Sequence, residues 1–320
     1  MSVPKRRVLL LGANGQVGHE LRKRLSALGQ LVVATRSGEL ADGSSCLATD
    51  LADAASLARS LDEARADIII NAAAYTAVDR AEDEPELADR VNHRAVGEIG
   101  AWAKAHGAFV VHYSTDYVFD GRGVAGDGAS PRAYREDDAT APLGVYGRSK
   151  LAGEDALRAS GADHLIFRTA WVYAAHGHNF LRTMLRLAAE RDELRVVADQ
   201  IGAPTPAHWI ANITAQALSR RDSAMPETDA AKRSGTFHLV AAGQASWHDF
   251  ATAIVAGAHA RDLIAREPRV VPIATADFPT RARRPAWSVL DCAKLKNAFG
   301  LELPDWRTGL DEVLDEIARR

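Results

Sequence analysis

Tyr146 and Lys150 stand four residues apart in the string VYGRSK, at the opening of a stretch with helical spacing. At i and i+4 two side chains share one helical face, about 6 Å apart along the axis. A phenol is a poor acid near neutrality, with an ordinary pKa of about 10. An ammonium beside it stabilises the phenolate and lowers that value. Such a pair can hand a proton to a carbonyl oxygen while a hydride arrives at the carbon. Thr115 closes an apolar run upstream, at the carboxyl end of a strand, the edge where ligands bind in open parallel sheets. Its hydroxyl can hold the same oxygen. A tyrosine–lysine pair alone is a weak signal; its weight comes from what precedes it in the chain.

Residues 12–18 read GANGQVG, between an apolar run (Arg7–Leu11) and a stretch with apolar residues at helical spacing (Val17, Leu21, Leu25, Leu28). In that context Gly12 permits a tight turn, Gly15 lets backbone approach a pyrophosphate, and Gly18 lets helix pack on strand. The first turn of the helix then offers free N–H groups and a favourable dipole to phosphate. Asn14, Gln16 and Val17 complete the turn. The spacing G-x-x-G-x-x-G predicts a dinucleotide site; a plain glycine-bearing strand–helix turn is the alternative. The second strand ends Thr35-Arg36-Ser37 with no acid, and an arginine there accommodates a 2′-phosphate. This favours NADPH, with NADH as the alternative and Arg36 as an ordinary surface charge as the bland reading. Asp50 and Leu51 would flank the adenine. Ala72, Ala73 and Ala74 follow Asn71 with small side chains, so their backbone can pass close to the ribose and pyrophosphate.

The 320 residues are 47% hydrophobic and 25% charged, an ordinary globular composition. A formal charge of -3 gives no basic footprint for nucleic acid and no polybasic membrane patch. Cys46 and Cys292 cannot make a disulfide framework, so two reduced thiols are expected. No apolar run reaches the length of a membrane span. The basic N-terminal start followed by a short apolar run reads as a strand and not as a signal peptide. A cytoplasmic location is expected.

The spacing predicts strands at Arg7–Leu11, Leu31–Thr35, Ala48–Asp50, Asp67–Asn71, Ala108–Ser114 and His164–Thr169. Helices are expected over Gly15–Leu28, Asp53–Ala64, Pro85–His106 and Leu143–Ala159. This alternation means βαβ units. Residues 121–138, rich in Gly and charge, read as a flexible flap beside the site or as a plain surface insertion. Beyond residue 175 the pattern loosens into helices at Asn179–Glu190, Pro206–Ser219 and Ser246–Ala258 between short strands. The expectation is an α/β fold: a Rossmann-like doubly wound parallel sheet over 1–174, and a smaller, partly interleaved substrate lobe over 175–320.

The strings NAAAYTAVDRAEDEPELA (71–88), VVHYSTDYVFDG (110–121), PLGVYGRSKLAGE (142–154), HLIFRTAWVYA (164–174) and DQIGAPTP (199–206) carry a closer likeness. RRPAWSVLD (283–291) and LPDWRTGL (303–310) continue it. The chain resembles the dTDP-4-dehydrorhamnose reductases among the extended short-chain dehydrogenase/reductases. The resemblance implies NAD(P)H-dependent reduction of the 4-keto group of dTDP-4-dehydro-6-deoxy-L-mannose to dTDP-L-rhamnose, the last step of dTDP-rhamnose biosynthesis. It implies Tyr146 as proton donor, Lys150 tuning it and orienting the cofactor ribose, and Thr115 on the carbonyl oxygen. Asp116 and Val78 would touch the dTDP-sugar. Trp171 would pack on the sugar, a core aromatic being the alternative. Asn179 and Arg284 would hold the diphosphate, the RxRRP run otherwise being a solvated basic loop. The family likeness also implies a structural Mg2+ shared in a homodimer through Glu20, Glu190 and Glu316, each of which also reads as a helix-surface acid. Two other functions stay open: a non-catalytic NADP-binding regulatory subunit, and a sugar-nucleotide epimerase or dehydratase that keeps its NAD.

Overall fold

The computed structural model describes residues 6–125, 131–221 and 233–320. Strands β1 (Arg7–Leu11), β2 (Gln30–Thr35), β3 (Leu47–Ala48), β4 (Ile68–Asn71), β5 (Phe109–Thr115) and β6 (His164–Thr169) alternate with helices α1 (Gln16–Leu25) and α2 (Ala54–Ala64). Next come short α3 (Val78–Ala81) and α4 (Pro85–Asp89), then α5 (Ala95–His106) and α6 (Val145–Ala159). The later chain adds β7 (Val172–Tyr173), α7 (Phe180–Glu190), β8 (Glu193–Val197), β9 (Ile201–Gly202), β10 (Thr205–Pro206) and α8 (Ala207–Arg221). It ends with β11 (Gly235–His238), β12 (Ala245–Ser246), α9 (Trp247–His259), β13 (Arg269–Ile273), α10 (Ala293–Phe299) and α11 (Trp306–Ala318).

The main sheet runs β11-β6-β5-β4-β1-β2-β3, all parallel. Such a sheet must be covered on both faces, which is why its strands are continuous apolar runs. Successive residues of each strand feed two cores. Val8, Leu10, Ile68, Ile70, Val111 and Phe167 meet Leu21 and Leu25 of α1, Ile210 of α8 and Phe250 of α9. Leu9, Leu11, Ile69, Val110 and Ile166 meet Leu57 and Leu61 of α2, Val96 and Ile99 of α5, and Leu157 of α6.

Three departures from the sequence reading matter. The seventh strand, β11, comes from the later half of the chain. The long helix expected over Pro85–His106 contains a π-helical turn at Arg90–Arg94. Asn92 in that turn donates to Ser149 Oγ on α6 at 3.0 Å and pairs with the Tyr75 backbone in both directions. The chain from 121 to 138 is tied down on both sides of 126–130, which lie outside the described residues. Val124 bridges Arg132 and Tyr134 bridges Leu290. The Arg132 guanidinium also forks onto Asp138 at 2.7 Å. A flap reading therefore fails for 121–125 and 131–138, because Tyr134 is buried in a third apolar cluster with Phe119 and Trp287.

Gly153 is where α6 crosses the π-turn: a Cβ there would fall on the Asn92 carbonyl oxygen. Gly153→Ala must push α6 off the turn, and overpacking of this kind costs about 1–3 kcal/mol. We expect a lower thermal unfolding midpoint together with reduced turnover, because the same helix carries Tyr146 and Lys150. An unchanged midpoint would refute the packing argument.

Both thiols are unpaired, and burial pushes Cys292 up to about 12. Among the described residues no helix is long and apolar enough to cross a membrane.

Candidate active site

The register of the sheet assembles the site. Asn71 at the end of β4 pairs with His112 of β5, and Thr115 at the end of β5 pairs with Thr169 of β6. Beside this edge lies the 12–18 turn. Gly12 has φ +78°, and a Cβ there would stand 2.6 Å from the Ala73 nitrogen. The small side chains at 72–74 thus allow the β4 loop to press on the glycine turn. No side chain caps α1 at Gly15, which leaves its first-turn N–H groups for a ligand. This cradle fits a pyrophosphate. The side chains of the turn serve the fold. Asn14 bonds Glu39 O and Ala41 N in the loop after β2. Gln16 donates to Val172 O and accepts from Asn179. Arg36 is exposed at the tip of the loop that Asn14 anchors. Leu51 is buried, while Asp50 accepts from Ala52 N in its own turn.

Tyr146 opens α6, edge-on to Tyr117 with ring centroids 5.6 Å apart. The Thr115 hydroxyl faces its phenol. Burial pushes the phenol up to about 12, the Thr115 hydroxyl pulls it down, and the Asp116 charge pushes it up again. Lys150 does not offset this, which corrects the expectation of direct tuning. Its ammonium points across to β5, 2.5 Å from Tyr113 O and 3.2 Å from His112 Nε2. Burial lowers Lys150 to about 8, and the Glu154 carboxylate one turn on opposes that shift. The Thr115 hydroxyl also differs from expectation. Its proton is directed at Asp116 Oδ1, 2.9 Å away, and it accepts from Tyr117 N. It can donate to a bound oxygen only after turning from Asp116.

Asp116 is buried, and desolvation pushes its carboxyl up to about 6. A carboxyl raised above its unfolded value binds protons more tightly when folded. Its ionisation therefore drains stability as pH rises from about 4 to 6. At pH 7.5 Asp116→Asn is expected to gain on the order of 2 kcal/mol over the parent. Urea titrations should show that gain vanish below about pH 4. A gain that persists in acid would refute the assignment.

The remaining candidates scatter. Val78 opens α3 and is half-buried. The next residue, Asp79, holds Arg284 by Oδ2–Nη2 at 2.7 Å and accepts from Ala282 N, which ties Arg284 to the residue beside Val78. Trp171 adopts φ +48°, stacks on Trp247 at 3.5 Å between centroids, and lies against Gly202. One of its faces is therefore already covered. Asn179 is not available for phosphate. It caps α7, accepting from Arg182 N and donating to Gln16, Ala174 O and His176 O. The pattern Asn before FLRTML is an N-cap signature that the sequence did offer.

Among the described residues Glu190 and Glu316 do not join Glu20 in a group with metal-ligand spacing within the chain. Among the described residues the group with metal-ligand spacing is His19, Glu20 and His176. Glu20 is paired with Lys23 and Arg24 and lies 3.0 Å from His176 Nε2, Glu190 is paired with Arg186, and Glu316 with Arg320. The magnesium expectation finds no support in this geometry, because cations already occupy those carboxylates. Missed from sequence were His112 and Glu154. Histidine inside the apolar run of β5, three residues before Thr115, was the available signal for the first. Continuation of the Tyr146–Lys150 spacing to 154 was the signal for the second.

The family profile described as RmlD substrate binding domain matches residues 6–319. A dTDP-4-dehydrorhamnose reductase of Burkholderia thailandensis is 51% identical over 304 residues, covering 94% of this chain and 95% of that protein. The chain belongs to the dTDP-4-dehydrorhamnose reductase family. Another member of the family, from Escherichia coli K12, is 44% identical, with 97% of each chain covered. A crystal structure of the reductase from Bacillus anthracis in complex with NADP is 32% identical. It covers 98% of this chain and 99% of that one, with a TM-score of 0.83.

Proposed function

We propose that this chain reduces the 4-keto group of dTDP-4-dehydrorhamnose to give dTDP-L-rhamnose, using NADPH. The observation that carries this reading is the convergence of Thr115, Tyr146 and Lys150 at the sheet edge beside the Gly12–Gly18 cradle. When bound, the reduced nicotinamide supplies the hydride. The protein supplies the proton and the orientation. A phenol held near 12 stays fully protonated at neutral pH, as a proton donor must be. An alkoxide is a far stronger base than a phenolate, so transfer from Tyr146 Oη is downhill. Thr115, swung away from Asp116, holds the carbonyl oxygen in line with that proton. Lys150, one helical turn on, would return a proton to the phenolate left behind.

The backbone of 12–18 and 72–74 would hold the pyrophosphate, and Asp50 and Leu51 would flank the adenine. Arg36 would meet a 2′-phosphate with its planar fork. Val78, Asp116, Trp171 and Arg284 would line the sugar-nucleotide site. Residues 1–174 would serve the cofactor and 175–320 mainly the substrate. The test is turnover of the dTDP keto-sugar with NADPH and NADH side by side. Arg36→Ala should raise KM for NADPH about tenfold, the loss of about 1.4 kcal/mol, and leave NADH unaffected. A wild-type protein that binds NADPH yet oxidises none with the keto-sugar would overturn the reading.

A further inference from the structure

Behind Lys150 lies a line of three buried side chains with a donor–acceptor mismatch. Asn71, His112 and Lys150 are each about 1% exposed, so bulk water does not reach them. Asn71 Oδ1 accepts from Ala73 N at 3.2 Å, which fixes the orientation of the amide. Its Nδ2 therefore faces His112 Nδ1 at 3.2 Å as a donor. A neutral imidazole has one accepting nitrogen and one N–H. With Nδ1 accepting, Nε2 bears the hydrogen, and Nε2 faces Lys150 Nζ at 3.2 Å. An ammonium has three donors and no lone pair. A charged Lys150 and an Nε2–H would point hydrogens at each other. A neutral amine can accept from Nε2–H and still donate to Tyr113 O, 2.5 Å away.

We propose that Asn71 and His112 form a tautomer lock behind Lys150, which holds the imidazole as Nε2–H and favours the neutral amine over the ammonium. The two are positioning residues: they act on the reaction through Lys150. This deepens the reductase reading and rests on it for its kinetic consequence. After each turnover the Tyr146 phenolate must regain a proton, and Lys150, one helical turn on along α6, can return it once its ammonium swings from the Tyr113 carbonyl. The N–H bond of Lys150 breaks, the O–H bond of Tyr146 forms, the amine left behind is the state His112 stabilises, and a proton from solvent restores the ammonium before the next turnover. A lysine made reluctant to keep its charge gives its proton up more readily.

The other groups facing the line act in known directions. Burial lowers Lys150, and Glu154 on its own helix raises it. Burial, Lys150 and His164 on β6 all hold His112 well below the usual histidine value, so the imidazole is neutral. Asp116, beyond Tyr146, acts on the phenol. Arg168 and Arg158 hold Glu154 ionised.

The test has two arms. In 15N-histidine-labelled wild-type protein, with the His112 signal assigned by its loss in His112→Gln, the ring shifts should identify a neutral Nε2–H tautomer from pH 6 to 8. A neutral Nδ1–H ring or an imidazolium would overturn the lock. This arm needs no substrate, so failure of the reductase activity leaves it intact. The second arm is the pH profile of kcat. Activity that needs the ammonium is lost as pH rises through the lysine's ionisation. In His112→Gln the side-chain amide can turn its oxygen to the ammonium, so the basic limb should move up by about one pH unit. A variant with lower kcat and an unmoved limb would make His112 merely structural and overturn the proposal. Should His112→Gln not fold, assignment by Asn71→Ser keeps the nitrogen arm decisive.

Discussion

Tyr146→Phe is expected to lower kcat for keto-sugar reduction by about 10²- to 10⁴-fold, the usual worth of a positioned general acid. The affinity for NADPH should change little. The reasons are local. The phenol ring keeps its packing against Tyr117 when the hydroxyl is removed. The polar group lost faces Thr115 and not the glycine turn. Thr115 retains Asp116 and the Tyr117 N–H as partners, so nothing buried is stranded. A hydride acceptor without its proton source must take its proton from water, a far weaker acid than a phenol. Single-turnover oxidation of NADPH, followed at 340 nm, separates binding from chemistry. Binding and turnover lost in equal measure would remove Tyr146 from the role. Full activity would remove it from the reaction.

The sequence alone placed Tyr146, Lys150 and Thr115 on the right elements because each lies on a strongly patterned stretch. Strands such as Asp67–Asn71 are uninterrupted apolar runs, and α6 carries its polar ladder at strict helical spacing. That pattern says which face a side chain takes but not where its end points. Lys150 shares a face with Tyr146, yet its ammonium turns to the Tyr113 carbonyl and His112. Four flexible bonds separate the two choices, and a buried backbone carbonyl decides between them. Strand β11 was illegible for a different reason: it has four residues, GTFH, and is a strand only because the β6 edge is there to pair with it. The π-turn at Arg90–Arg94 is likewise set by tertiary contact, through Asn92 meeting Ser149 and the Tyr75 backbone. The cap role of Asn179 was legible in the Asn before FLRTML, while the resemblance offered the same residue for the diphosphate.

The buried pair behind the catalytic helix carries the largest stability effect. Glu154 is fully buried, and Arg168 of β6 forks onto it through Nε–Oε1 at 2.9 Å and Nη2–Oε2 at 2.7 Å. Arg158, one turn further along α6, adds a third contact at 3.1 Å. Arg168→Met removes the fork and leaves the carboxylate with the half-exposed Arg158 as its remaining paired cation. Removing one partner of a buried pair typically costs about 3–5 kcal/mol, since the remaining charge is stranded. Urea unfolding should show a lower midpoint with an unchanged slope. The pH dependence gives a second check. Arg168 is among the groups that hold Glu154 below its ordinary value, so the pair's contribution is present above the unfolded carboxyl pKa and lost as pH falls through the folded one. The deficit of Arg168→Met should therefore be largest at neutral pH and shrink in acid, where the carboxylate takes up a proton and no longer needs a partner. The double variant Arg168→Met/Glu154→Leu should recover much of the loss, because two apolar groups of similar volume can replace such a pair at little net cost. Its kcat should stay depressed even so. Lys150 would have lost the carboxylate that opposes its desolvation, and the ammonium that Tyr146 draws upon would be scarcer at every pH above that of the folded lysine's ionisation.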